Sequence, residues 1–152
     1  MANKQKILFI GGPGRSGSTV LSMVLGQIEG FTTVGEVARI EKSGLKCACG
    51  RDAINECEVW KPILEQAFGD EAGIQDARES FKRFVRNRKA LQNLQDVFRH
   101  PGDHLPSFKA FEETSSRLYH TVHDITGSNV IVDTSKTAIY AYYLHHMASL
   151  EV

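Results

Sequence analysis

The sequence predicts an α/β fold in which a parallel sheet carries helices on its faces. Short apolar runs that are typical of buried strands alternate along the chain with longer segments of helical periodicity. The segments between successive predicted strands are long, and long crossovers join parallel strands, whereas tight turns join antiparallel ones. A length of 152 residues suits a single domain with one core.

The first strand, turn and helix follow one another near the N-terminus. Lys6–Ile10 is a short, mostly apolar run that predicts a buried strand, and Gly11–Gly17 is a glycine-rich turn. Ser18–Ile28 is predicted to be a helix because its apolar residues repeat at the helical period. These residues are Val20, Leu21, Val24, Leu25 and Ile28.

The rest of the chain continues the alternation. The β-branched stretch FTTVGEVARI predicts a second strand that ends near Gly35 and Glu36. KSGLKCACGRDAINEC is predicted to be a polar loop. The remaining predicted elements are helices Glu58–Phe68, Asp76–Phe98 and Ser107–Thr126, a strand Asn129–Asp133, and a helix over TAIYAYYLHHMASL. The next strand is expected to begin at the final residues, ASLEV.

Composition and charge exclude several classes of partner. Eighteen lysines and arginines balance eighteen aspartates and glutamates, so no overall field favours nucleic acid or a membrane surface. No apolar run approaches the roughly 20 residues that cross a bilayer. Three cysteines do not suggest a disulfide-stapled secreted scaffold. We therefore expect a cytoplasmic protein.

Three polar segments each follow a predicted strand. They are the loop Gly12–Thr19, Glu36, and Asp133–Lys136. In an open parallel sheet, ligands bind beyond the carboxyl ends of the strands. The sequence therefore predicts that these segments converge on one crevice.

The glycine-rich loop has the chemistry of an anion site. Its glycines let successive backbone amides point inward, and the following helix presents further free amides. Arg15 adds a permanent charge with a fork of donors. The spacing Gly12-x-x-x-x-Gly17 matches the first part of an ATP-binding loop, but Ser18 stands where such a loop has lysine. The candidate anion-binding residues are Gly14, Arg15, Ser16, Gly17, Ser18 and Thr19.

The stretch GGPGRSGSTVLSMVL resembles the 5′-phosphosulfate-binding loop of the sulfotransferases that use 3′-phosphoadenosine-5′-phosphosulfate (PAPS). In that family a basic residue is followed by Ser-Gly and two hydroxyl residues. TTVGEVARI, CACGRDAINECEVWKPIL and VIVDTSK resemble further stretches of the bacterial and carbohydrate- or tyrosine-modifying branches. The resemblance covers most of the chain, and the loop is its most specific part.

This resemblance implies a P-loop NTPase-like three-layer α/β sandwich that transfers a sulfuryl group from PAPS without a metal ion. Arg15, the loop amides and Lys136 would stabilise the leaving phosphate, and Glu36 would act as the base, as does the glutamate after glycine in tyrosylprotein sulfotransferases. The acceptor would be a hydroxyl or amine on a small molecule, glycan or peptide. The family holds the 3′-phosphate with residues after the next strand, so residues 1–152 are expected to be one incomplete domain, truncated at its C-terminus.

Two other classes of function stay open. Asp133 ends an apolar strand, as a magnesium-binding aspartate does in P-loop kinases and NTPases, although capping of the next helix is the commoner role for DTSK. The chain is alternatively a non-catalytic fragment that needs a partner, either a second copy or a missing C-terminal half. Cys47, Cys49 and Cys57 have no clear fourth zinc ligand, and we expect a structural loop there.

Overall fold

The computed structural model describes residues 4–40, 54–86 and 106–152. Four strands form one sheet in the order β2-β3-β1-β4, and every pairing in it is parallel. The strands are β1 Gln5–Gly11, β2 Phe31–Gly35, β3 Val130–Lys136 and β4 Leu150–Glu151. The predicted α/β class and parallel sheet are confirmed, and a strand does begin within the final ASLEV.

Five helices accompany the sheet in the described ranges: α1 Ser18–Leu25, α2 Trp60–Phe68, α3 Glu71–Arg86, α4 Pro106–Thr126 and α5 Ala138–His146. Short 3₁₀ turns cover Val37–Arg39 and Ile54–Glu56. Helix α1 is shorter than predicted because Gly26 ends it and the chain tightens into turns. Helix α5 stops at His146, where extended backbone at Met147 leads into β4. The predicted end of the third helix, Phe98, lies outside the described residues.

The main core lies between the sheet and helices α2 to α5. Its centre is aromatic: Phe84 stacks on Phe111 with ring centroids 3.9 Å apart, and Phe81 meets Phe111 edge to face at 5.4 Å. Both α1 and α4 contact β3, and Ile131 to Ser135 are all buried. This arrangement is compatible with a three-layer α/β fold, in which β3 is an interior strand of the sheet and is contacted by helices α1 and α4.

Helix α1 lies against β2 and β3 through its small residues. Ser18 and Ser22 are its buried side chains, and Ser22 donates a hydrogen bond to the Thr19 carbonyl at 2.9 Å. The small side chains let the helix approach the sheet closely. Four of its large apolar residues point outward instead and are 48–66% exposed: Val20, Leu21, Met23 and Val24. Ile28, just after the helix, is 47% exposed, whereas Leu25 is half-buried.

Among the residues that the structure describes, no helix has the length and apolar character needed to cross a membrane.

Candidate functional site

The carboxyl ends of β1, β2 and β3 bring the predicted site segments together. Gly11 pairs with Lys136 in the β1–β3 ladder, and the Gly12 amide donates to the Lys136 carbonyl at 3.2 Å. The Lys136 ammonium in turn donates to the Glu36 carboxylate at 2.8 Å. The glycine-rich loop, the end of β2 and the end of β3 therefore meet at one edge of the sheet, as predicted.

Glu36 lies between two cations. Lys136 Nζ contacts one carboxylate oxygen, and Arg39 Nη1 contacts the other at 2.9 Å. Burial acts to raise the pKa of Glu36, but hydrogen bonds and charge from Lys136 and Arg39 outweigh it, so the pKa lies below its usual value. In this structure Glu36 is a carboxylate held in ion pairs, and a paired carboxylate is a weaker proton acceptor than a lone one.

The loop between β1 and α1 is open to solvent. Gly11 to Gly17 are all exposed, and Ser18 is the first buried residue after them. Helix α1 begins directly after Gly17, which has φ 79° and makes no side-chain cap. The first amides of a helix have no partner within the helix, so here they face the open loop. This is a favourable place for an anion.

Arg15 adopts a backbone conformation that an arginine rarely takes. Its φ is 62°, in the left-handed region that favours glycine. Lys136 is the other non-glycine residue with positive φ in the described ranges, at 68°. Strain at two cationic residues around one crevice is typical of functional sites.

Asp133 lies behind this crevice. Its side chain is fully buried between β3 and helices α4 and α5: Tyr119 Oη donates to one carboxylate oxygen and the Ser135 amide donates to the other at 2.6 Å. Burial raises the pKa of Asp133 to about 6, although hydrogen bonds from Ser135 and Tyr119 act in the opposite direction.

The prediction that Asp133 caps the following helix is wrong. Strand β3 continues through Asp133 to Lys136, and the residue at the N-cap of α5 is Thr137. The Asp133 carboxylate instead accepts hydrogen bonds within the core. Both of its oxygens are occupied there, which does not suit a role as an open magnesium ligand.

Sequence reasoning missed two residues of the site. Arg39 forms an ion pair with Glu36. Its position three residues after Glu36 could have predicted this pair, because residues at that spacing face each other in a helical turn. Ser135 accepts a hydrogen bond from the Ala38 amide at 2.9 Å and so ties the end of β3 to the turn after β2. Nothing local in the sequence marks a contact between residues 97 positions apart.

Within residues 4–40, 54–86 and 106–152, no group of three or more His, Cys, Asp or Glu side chains could hold a metal ion. Cys57 is buried beside α2, whereas Cys47 and Cys49 lie outside the described residues.

Comparison with known protein families, curated proteins and solved structures found no match for this chain.

Proposed function

We propose that this chain is a PAPS-dependent sulfotransferase domain of P-loop NTPase-like fold, which transfers a sulfuryl group to a hydroxyl or amine acceptor in the cytoplasm. One observation carries the proposal. An open glycine-rich loop at a helix N-terminus, with Arg15 in it, adjoins a carboxylate–ammonium pair, Glu36–Lys136, at the carboxyl ends of parallel strands. Such a site offers hydrogen-bond donors and a cation for an anion, together with a carboxylate that can act as a base.

The loop would bind the 5′-phosphosulfate of the donor. Amides of the first turn of α1 and the side chains of Ser16, Ser18 and Thr19 supply hydrogen-bond donors, and Arg15 supplies charge. Lysine at the position of Ser18 serves a nucleoside triphosphate by reaching its β- and γ-phosphates. A sulfuryl donor has no γ-phosphate, so the serine is compatible with it.

In the proposed step, Glu36 takes the proton from the acceptor as the acceptor atom attacks sulfur. A bond forms between the acceptor atom and sulfur, and the bond between sulfur and the bridging phosphate oxygen breaks. The bonding pair leaves with the phosphate, whose new negative charge Arg15, the loop amides and Lys136 stabilise. The products are the sulfated acceptor and 3′-phosphoadenosine-5′-phosphate.

The ion pair must open for this step. Lys136 now donates to Glu36, and an anion at the loop would compete for the same ammonium. When Lys136 turns to the donor, Glu36 keeps Arg39 but loses its closer charge partner, and its pKa rises towards a value better suited to a base. Donor binding and activation of the base are therefore coupled through Lys136.

Calorimetric titration of the whole chain tests the proposal. The ligands are 3′-phosphoadenosine-5′-phosphate and, separately, ATP with magnesium. We expect micromolar or tighter binding of the first without magnesium. Arg15→Ala should weaken it by about 10- to 100-fold, the worth of a charge-assisted contact. Arg117→Ala, at an exposed arginine of α4, is the matched control.

The outcomes separate the candidate functions. Binding of magnesium-ATP alone would overturn the sulfotransferase proposal in favour of a P-loop kinase or NTPase. Binding of neither ligand by a folded sample would contradict donor binding by residues 1–152 alone, as expected if the fold is completed by a partner or further chain. Glu36→Gln should retain donor binding and lose turnover; an unchanged rate would exclude Glu36 as the base.

A second candidate, a module that needs a partner, is favoured by the outward apolar face of α1. Four large apolar side chains of α1, and Ile28 just after it, are exposed, and an exposed apolar patch marks an interaction surface. Ser18 to Ile28 contain no charged residue, so two copies could meet there without burying a charge. We therefore take a second copy of this chain as the partner.

Light scattering during size-exclusion chromatography tests that candidate. A dimer is expected, and Val24→Lys should shift it to monomer, whereas Gln75→Lys on the exposed side of α3 should not. A monomeric wild-type chain at all accessible concentrations would exclude the second copy as the occupant of this face.

A further inference from the structure

The ladder between β2 and β3 ends before it reaches the Glu36–Lys136 pair. Glu36 follows the end of β2, and the β2–β3 register shifts between Thr33 and Gly35, just before it. Lys136 is at the end of β3, where the β1–β3 register also shifts and φ is 68°. The last pair of the β2–β3 ladder is Gly35 with Asp133, so the hydrogen bonds between these two strands end before Glu36 and Lys136. Lys136 pairs only with β1, and other contacts must hold the ends of β2 and β3 together.

A line of buried hydrogen bonds connects these strand ends to the core. The Ala38 amide, two residues after Glu36, donates to Ser135 Oγ at 2.9 Å. The Ser135 amide donates to Asp133 Oδ1 at 2.6 Å. Tyr119 Oη donates to Asp133 Oδ2, and the hydroxyl groups of Tyr119 and Tyr140 lie 3.1 Å apart.

The side chains that form this line are all buried. Tyr119 and Asp133 are fully buried, Tyr140 is 1% exposed and Ser135 is 6% exposed. The tyrosines belong to α4 and α5, so the line joins both helices to β3 and then to the turn after β2. None of these side chains lies in the open loop, and no step of the proposed transfer uses them.

We propose that Ser135 and Asp133 are positioning residues, which set the distance between Glu36 and Lys136 by tying the turn after β2 to the end of β3. Ser135 holds the backbone that carries Glu36 and is itself the residue before Lys136. Asp133 fixes the Ser135 backbone and is in turn fixed by Tyr119. The inference concerns the site of the proposed function, but it does not require that the ligand be PAPS.

The pKa of the Glu36 carboxyl reports on the pair directly. It is held low by Lys136 and Arg39 against the effect of burial, so a looser Lys136 contact raises it. Among the residues that the structure describes, the charged groups that face Glu36 are these two cations and, at longer range, Asp133. Carbon-13 NMR of the glutamate carboxyls against pH measures this pKa in the whole chain without any ligand, with Glu36→Gln to assign the signal.

Ser135→Ala is the decisive variant. We expect the pKa of Glu36 to rise in Ser135→Ala and to return towards the wild-type value in Ser135→Thr, which restores a hydroxyl. Thr134→Val is the matched control, because this neighbouring residue is also buried but points to the opposite face of β3. Circular dichroism and the midpoint of urea unfolding check that each variant is folded.

Two results would overturn the inference: an unchanged pKa of Glu36 in folded Ser135→Ala, or an equal rise in Thr134→Val. If Ser135→Ala does not fold, Ser135→Cys keeps a side chain of similar volume with a weaker hydrogen-bond acceptor. The pKa of Glu36 is expected to rise in this variant too, and an unchanged pKa would overturn the inference. Failure of 3′-phosphoadenosine-5′-phosphate to bind the wild-type chain would contradict donor binding by residues 1–152 alone, but it would not affect the NMR result.

Discussion

Replacing Asp133 by asparagine should change how the stability of the chain depends on pH. Asp133 is a fully buried carboxyl whose pKa burial raises from 3.8 to about 6. Asparagine keeps the oxygen that accepts from the Ser135 amide, but it replaces the acceptor of the Tyr119 hydroxyl by an amide group. Loss of that hydrogen bond costs about 1 kcal/mol at every pH.

The magnitude and sign follow from proton linkage. Each pKa unit corresponds to about 1.4 kcal/mol, so a rise from 3.8 to about 6 amounts to about 3 kcal/mol. Because the folded state holds the proton more tightly, this contribution is complete below about pH 4 and is lost as pH rises through about 6. The free energy of unfolding of Asp133→Asn, minus that of the wild type, should therefore increase by about 2 kcal/mol from pH 4 to pH 7.

Urea unfolding followed by circular dichroism at closely spaced pH values measures this difference. Titrations of groups that do not interact with Asp133 are shared by both chains and largely cancel in it. Asp124→Asn is the control, because it makes the same substitution at an exposed position of α4. A difference for Asp133→Asn that stays flat between pH 4 and pH 7 would refute the idea that burial raises this pKa.

Three further variants test the core and the site. Phe111→Ala removes a ring that is fully buried against Phe84 and should lower the free energy of unfolding by about 3–5 kcal/mol in urea titrations. Lys136→Met should raise the pKa of Glu36 in carboxyl NMR titrations, because burial is then opposed by Arg39 alone; an unmoved pKa would contradict the ion pair. Arg15→Gly should raise the free energy of unfolding by up to about 1 kcal/mol while weakening donor binding, and a loss of stability would show that φ 62° is not strained.

The sequence predicts the layout of the fold because that layout depends on local patterns. Apolar runs and long crossovers are enough to indicate parallel strands, and the glycine-rich turn after β1 marks the loop. The end of β3 was placed too early because DTSK has the residue types of a helix cap. The structure instead continues the strand to Lys136, since Asp133 finds its partner in Tyr119 on a distant helix. The tertiary hydrogen bond between Asp133 and Tyr119 therefore outweighs the local preference of DTSK for a helix cap.

The outward apolar face of α1 was also beyond what periodicity can indicate. A helical repeat predicts that one side of a helix is apolar, but not that this side faces the sheet. Here α1 packs on β2 and β3 with Ser18 and Ser22 as its buried side chains, so small residues occupy the inner side. Space at the sheet, which no local pattern encodes, decides the orientation.

The positions of the two strained cationic residues add an argument about the site. Among the described non-glycine residues, positive φ occurs at Arg15 and Lys136. Arg15 lies in the loop after β1 and Lys136 ends β3, and the Gly12–Lys136 backbone hydrogen bond joins these segments. A left-handed conformation costs about 1–2 kcal/mol where glycine would avoid it, so stability alone would favour glycine at both positions. The proposed anion site would give both cationic side chains a role that offsets this cost. Arg15→Gly tests it: removal of the strain should raise the free energy of unfolding, and removal of the charge should weaken donor binding.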